Sequence, residues 1–186
     1  MKRLFDLFAG LLLLFLLAIP MILIAILIRS SSKGPSLYWS DRVGKNNIIF
    51  RMPKFRSMLI NTPEVASHNL RNPGHYLSPI GSFLRRTSLD ELPQLFSVIK
   101  GDMSFVGPRP ALFNQEDLIA LRTDLGISKL LPGITGWAQI NGRDQLSIAE
   151  KVNLDLVYLN RQSFWFDLII LIKTVIKVIK NKDVTH

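Results

Sequence analysis

From Leu7 to Ile28 the chain carries no charged residue, a run of 22 positions made almost wholly of leucine, isoleucine, alanine and phenylalanine. At about 1.5 Å per residue a helix of that length reaches about 33 Å, enough to cross a hydrocarbon core of about 30 Å. The stretch is too long for a secretory signal, and no small-x-small cleavage site follows it. Pro20 lies near its middle. It cannot donate to the carbonyl of Leu16, and its ring pushes a helix toward a kink. Cations stand at both ends, Lys2 and Arg3 before the run and Arg29, Lys33 and Arg42 after it. The positive-inside preference therefore draws both ends to the cytoplasm. On these residues alone, a helix bent at Pro20 that enters and leaves by one leaflet and a simple spanning helix both stand.

Beyond the run, Ser30 to Ser36 has the Ser, Gly and Pro content of an interfacial linker. Two apolar stretches between Leu37 and Met58, broken at Gly44-Lys45-Asn46-Asn47, predict a strand pair with a turn. Asn61 to Pro79 is polar and rich in Pro, Asn and His, and reads as a loop. Ile80 to Arg86 is too short to assign. Leu92, Leu95, Phe96 and Ile99 recur at helical spacing, predicting a helix over Leu89 to Lys100 that Gly101 stops. A second helix runs from Leu112 to Leu125, before Gly126. Three glycines and Pro132 make Leu131 to Asp144 a loop or linker. Ser147-Ile148-Ala149-Glu150 is a capping box opening a helix to about Asn160. Over Phe164 to Lys180, Ile169, Ile172, Ile176 and Ile179 line one side and Lys173, Lys177 and Lys180 another, as in a helix lying among lipid headgroups. The aromatic run Phe164-Trp165-Phe166 favours that placement over a core helix with snorkelling lysines.

The fold class expected is α/β, mostly helical with a small strand pair. Residues 1–29 form the membrane helix and residues 30–186 a compact domain ending in an interfacial helix at about 164–180. Hydrophobic residues make up 48% of the 186, high for a soluble domain, and 23 Lys+Arg against 14 Asp+Glu leave a net charge of +9. The balance points to an anionic partner: lipid headgroups, phosphorylated substrates or nucleic acid. No recognition-helix or RNA-binding signature supports nucleic acid. The absence of cysteine excludes disulfides and Cys-ligated zinc, and His68, His75 and His186 lack metal-ligand spacing.

Candidate chemistry centres on Arg85-Arg86-Thr87-Ser88-Leu89-Asp90-Glu91-Leu92-Pro93-Gln94. Ser88-x-x-Glu91 is formally a capping box, and acidic residues suit a first helical turn. Pro93 disfavours that reading, because a helix begun after Ser88 would lose a ladder bond there. Begun at Asp90, the helix carries Pro93 in its first turn and sets two carboxylates at its positive end, where anions also bind. Lys54-Phe55-Arg56-Ser57-Met58 supplies two cations, Gly107-Pro108-Arg109-Pro110 an arginine between prolines, and Asn141-Gly142-Arg143-Asp144 another. Guanidinium forks match phosphate oxygens.

Through DRVGKNN, KFRSM, RRTSLDELPQLFSVIKGDMSFVGPRPAL and LPGITGWAQINGRD, in that order and nearly end to end, the chain resembles the monotopic bacterial phosphoglycosyl transferases. These are the initiating sugar transferases of capsule, exopolysaccharide and glycan assembly. The resemblance implies a re-entrant helix and a catalytic domain on the cytoplasmic face of the inner membrane. It implies transfer of a phospho-sugar from a UDP-sugar to polyprenyl phosphate, with magnesium and an Asp-Glu dyad. Asp90 matches the nucleophile, Glu91 the metal-associated carboxylate and Arg109 a phosphate-binding arginine. Lys54, Arg56, Arg86, Arg143 and Asp155 fall in motifs near that site. Many relatives have Ser-Pro at the membrane kink where this chain has Ile19-Pro20, so a hydroxyl that helps satisfy the broken backbone is missing. Thr62-Pro63-Glu64-Val65-Ala66 resembles relatives that use N-acetylated, often 6-deoxy, amino-sugars. A non-enzymatic basic membrane module, and a glycosyltransferase releasing UDP rather than UMP, are the competing readings.

Overall fold

A computed structural model describes residues 1–62, 73–142 and 145–180. The apolar run lies in α1 (Lys2–Ser31), which is helical through Pro20. Only 17% of its most apolar window is buried, which separates it from the core helix of a soluble protein. The inner face turns Asp6, Gly10, Met21 and Ile28 onto the domain, while Phe8, Phe15, Ile19 and Ile22 stay exposed. Both faces are apolar, since Leu14, Leu17 and Ile24 on the inner side pack against the core clusters. Gly10 permits the close approach, since a Cβ there would lie 3.2 Å from Ile99 Cγ1.

Both ends of α1 are fastened to the same domain. Arg3 Nη1 and Nη2 donate to the carbonyls of Val98 (2.5 Å) and Ile99 (2.6 Å), left without helical donors at the end of α3 (Gln94–Lys100). Lys2 Nζ donates to the Val106 carbonyl at 2.9 Å, Tyr158 Oη at 3.1 Å and Asp167 Oδ2 at 2.5 Å. At the other end the Arg56 guanidinium donates to the Lys33 carbonyl and to both oxygens of Ser32.

The predicted strand pair forms as β1 (Leu37–Val43) and β2 (Ile49–Phe55), antiparallel from Leu37 opposite Phe55 to Val43 opposite Ile49. Asn46 and Asn47 take positive φ of 55° and 60° in the turn, a conformation asparagine tolerates. Phe50 and Met52 face the main core with Leu95, Val98, Met103, Phe105, Ile170 and Tyr158. A second cluster, Met21, Ile28, Phe55 and Leu84, seats α1 and α2 (Gly81–Arg86) on β2.

Two elements differ from expectation. The helix expected over Leu89 to Lys100 is split into a 3₁₀ turn at Leu89–Glu91 and α3, because Pro93 can only precede a ladder; Gly101 ends α3 at φ 101° as predicted. The stretch expected to be loop, Leu131 to Asp144, holds β4 (Gly133–Thr135) and α5 (Trp137–Ile140). β4 pairs in parallel with β3 (Ser104–Val106). The helix expected from Leu112 begins later, as α4 (Glu116–Asp124). α6 (Ile148–Arg161) opens on the predicted capping box, both halves of which are made by Ser147 and Glu150. α7 (Phe164–Lys180) buries Phe166 and Ile170 and exposes Trp165, Ile169, Ile172 and Val175.

Candidate active site

The site is set by the short turn joining α2 to α3. Ser88 takes φ 57° and ψ 17°, and its side chain caps nothing, so the formal capping box is not formed. A left-handed serine is strained, and such strain gathers at functional sites. Here it turns the chain between α2 and α3, and the two carboxylates line different cavities. Asp90 is buried, at 8% exposure, and lines a cavity of about 340 Å³ with Tyr38, Arg42, Lys54 and Arg85. Glu91 lines a second cavity of about 300 Å³, walled by α1, α5 and α7.

Glu91 Oε1 accepts from Lys54 Nζ at 2.9 Å and from Arg109 Nη2 at 3.1 Å. One carboxylate oxygen thus joins β2 to the loop after β3. Burial lowers the Lys54 pKa, with Arg109 and Arg42 adding to the effect while Glu91 and Asp90 oppose it. Burial also raises the Asp90 pKa; Lys54, Arg85 and Arg109 pull it down and Glu91 pushes it up. Burial beside Arg109 lowers even the Arg42 guanidinium, to about 10.

Arg109 owes its position to its neighbours. Pro108 and Pro110 have no backbone N–H, so the segment offers chiefly acceptors. Four consecutive carbonyls are occupied: Pro108 by Gly133 N at 2.9 Å, Arg109 by Arg122 Nη1 at 2.8 Å, Pro110 by Arg42 Nη1 at 3.2 Å, and Ala111 by Val43 N at 2.9 Å. Gly107 lies so close to β4 that a Cβ would meet the Leu131 carbonyl at 2.3 Å. Backbone that is bonded at every turn holds its side chain in one place.

Among the residues expected at the site, Lys54, Asp90, Glu91 and Arg109 come together. Asp155, 1% exposed, stands behind them and pairs with Arg122 at 2.6 Å. Arg56 lines the Asp90 cavity, yet its guanidinium holds the linker after α1. Arg86 is exposed at the end of α2, where Arg85 is the arginine that reaches the field of Asp90. Arg143 lies outside the described residues, as do His68, His186 and residues 63–66 of the sugar-linked stretch. Arg42 and Arg85 were missed. Arg42 was detectable in principle, since it shares a strand face with Tyr38 and Ser40, and Tyr38 pairs with Lys54.

No group of three or more His, Cys, Asp or Glu poised for a metal occurs among the described residues. Asp90 and Glu91 are two adjacent hard oxygen donors bordered by cations. That donor set fits magnesium shared with substrate phosphates and water, rather than a protein-only cage.

A membrane-docked, mostly helical α/β domain with a carboxylate pair among phosphate-matching cations is the class that this geometry defines. The bacterial sugar transferase family matches residues 1–181, and the chain belongs to that family. It is 39% identical over 197 residues to the undecaprenyl-phosphate glucose phosphotransferase of Komagataeibacter xylinus, covering 98% of this chain and 36% of that one. It is 39% identical over 190 residues to the UDP-glucose:undecaprenyl-phosphate glucose-1-phosphate transferase of Escherichia coli K12, covering 98% and 41%. With the uncharacterized sugar transferase EpsL of Bacillus subtilis it shares 40% over 187 residues, 99% of this chain and 90% of that one. The chain therefore spans about two fifths of the first two relatives and nearly all of the third.

Proposed function

We propose that this chain transfers a phospho-sugar from a UDP-sugar to polyprenyl phosphate, releasing UMP, through an aspartyl phospho-sugar on Asp90. The observation that carries this is the placement of a buried, cation-flanked carboxylate, Asp90, on a cavity lined by Arg42, Lys54 and Arg85. The names of the relatives supply the substrate classes.

A carboxylate oxygen of Asp90 attacks the sugar-bearing phosphorus. The bond from that phosphorus to the bridging oxygen breaks, and UMP leaves with the electron pair. An oxygen of polyprenyl phosphate then attacks the same phosphorus, restoring the Asp90 carboxylate and giving polyprenyl diphosphate sugar. An anion attacking an anion needs positioning and charge neutralisation above all. Lys54, Arg42 and Arg109 supply fixed positive charge, and Glu91 holds Lys54 and Arg109 in register. Asp90 and Glu91 would hold magnesium, which would supply further neutralisation of phosphate charge. The domain sits on the cytoplasmic face of the inner membrane, and α1 enters and leaves by that face.

Enzyme, magnesium and UDP-sugar without acceptor should release about one equivalent of UMP and add the mass of a phospho-sugar to Asp90. Asp90→Asn should abolish both. UMP release that strictly requires polyprenyl phosphate, with no adduct, sinks the two-step route; release of UDP sinks the reaction class. Testing UDP-glucose, UDP-galactose and N-acetylated amino-sugar donors identifies the sugar.

A further inference from the structure

The cavity on the Glu91 side has a composition that the donor does not account for. Its walls are Leu13 and Leu17 of α1, Leu92 and Leu95 beside the turn, Ile134, and Val178 of α7. A UDP-sugar has no use for such walls. Glu91, Arg109 and Gln139 are among the cavity's polar lining residues. The hydroxyls of Thr135 and Thr174, which also line it, satisfy each other at 2.7 Å, and Thr174 donates to the Ile170 carbonyl. Gln139 differs: its Nε2 and Oε1 are both buried and neither has a partner. An amide kept dry and unpaired destabilises the fold, and a ligand oxygen that accepts from Nε2 removes that penalty.

We infer that this cavity is the acceptor subsite, taking the phosphate of a polyprenyl phosphate against Gln139 Nε2 and Arg109, with the isoprenoid chain leaving between Leu13 and Leu17 of α1 and Val178 of α7. The assignment rests on the function proposed above. Three features commit it to an amphipathic lipid phosphate. Glu91, a wall of this cavity, is the chain neighbour of Asp90, a wall of the other. Two of its walls belong to helices whose outer faces are apolar and exposed, as Ile19 and Ile22 on α1 and Val175 on α7 show, so a chain emerging between them meets hydrocarbon rather than water. Lys177, next to Val178 on α7, also lines it and adds a cation to its wall. The lipid then need not leave the membrane to reach the phosphorus.

The test is steady-state kinetics on the full chain in lipid nanodiscs, with UDP-sugar and undecaprenyl phosphate varied separately. Gln139→Leu keeps the volume and removes the amide, and Leu17→Trp fills the apolar end. Each should raise the acceptor KM about tenfold or more while moving the donor KM far less, the signature of one lost binding interaction. Gln139→Leu should also melt no lower than the unaltered protein, because no protein contact is lost. Undecaprenol, which lacks the phosphate, should compete more weakly with undecaprenyl phosphate in the unaltered protein than in Gln139→Leu. An acceptor KM unmoved in both variants overturns the subsite, as does a donor KM that rises in parallel; either result leaves UMP release intact. If the unaltered protein releases no UMP from any donor, the function itself is overturned and the subsite with it. Equal competition by ordinary phospholipid would make the cavity a structural lipid site and also overturn the assignment.

Discussion

Arg122 donates from Nη1 to the carbonyl oxygen of Arg109 at 2.8 Å, while its Nε and Nη2 both donate to Asp155 Oδ2 at 3.0 and 2.6 Å. Asp155 thus acts on the site at one remove, by aiming an arginine at the backbone of another. Its carboxyl is pushed up by burial and pulled down by Arg122, and its second oxygen, Oδ1, is buried without a partner.

A pair of this kind is costly to break singly. Asp155→Asn leaves a buried guanidinium under-compensated and is expected to destabilise the domain by roughly 3–5 kcal/mol. The double variant Arg122→Met, Asp155→Leu removes both charges and is expected to recover most of that stability in denaturant titrations. It should not recover turnover, since the Arg109 carbonyl has lost its donor. Full activity in the double variant would reduce Asp155 to a purely structural residue.

Glu91 Oε1 is shared by Lys54 and Arg109. Glu91→Gln keeps the shape and removes the charge that holds both cations. Turnover should fall by on the order of a hundredfold or more, the scale for losing one preorganised electrostatic group. Arg109→Lys should also be impaired, because a point charge cannot replace a fork that must face Glu91 and a phosphate together. Lysine kinetics equal to those of arginine would reduce this position to simple charge, and wild-type magnesium dependence in Glu91→Gln would remove its role at the metal.

The sequence disclosed the elements whose signals are local. The uncharged run, the strand pair around Gly44 to Asn47, the Ser147–Glu150 cap and the Gly101 stop each depend on a few neighbouring residues. The β3–β4 pair was not legible, since three-residue strands are too short to show a period and their pairing, Ser104 with Gly133, spans distant chain. The 3₁₀ turn was half legible: Pro93 argued against a helix begun at Ser88, but nothing local announces a serine at φ 57°. Of the cations, Lys54 and Arg109 stand in recognisable motifs. The choice between Arg85 and Arg86 depends on how α2 is rotated against the turn, which only packing of Leu84 decides.

The proposed re-entrant topology can be tested through the way α1 is fastened. Lys2 and Arg3 are tied to α7 and α3, and Ser32 and Lys33 to Arg56 just after β2, so the two ends of one apolar helix meet the same domain. A helix re-entering one leaflet keeps all of these bonds. A simple span would have to give up one set. A cysteine added before Met1 and a Ser36→Cys variant should therefore react with membrane-impermeant maleimide only when the cytoplasmic side is opened. Labelling of either from the periplasmic side would sink the re-entrant arrangement. Lys2→Met should weaken the docking and raise protease sensitivity near α7, leaving Asp167 to Tyr158 alone at 2.7 Å.

Asp90, the proposed nucleophile, should be a burden on the fold. Asp90 is buried at 8% exposure and its pKa is raised, chiefly by desolvation, against the pull of Lys54. A raised value means that the folded protein binds this proton more tightly than the unfolded chain does. Stability from this group is therefore complete below the ordinary carboxylate pKa and is lost as pH rises through the raised one. Asp90→Asn is neutral at every pH and escapes that loss. In chelator, so that no metal contributes, the variant should match the unaltered protein near pH 4 and exceed it at neutral pH, by roughly 0.5–2 kcal/mol, the usual gain when a functional site is relieved. The gap should open in the direction of rising pH. A gap that is constant with pH, or one that opens toward acid, would show that desolvation does not govern this carboxylate and that Lys54 and Arg85 hold it ionised in the resting protein.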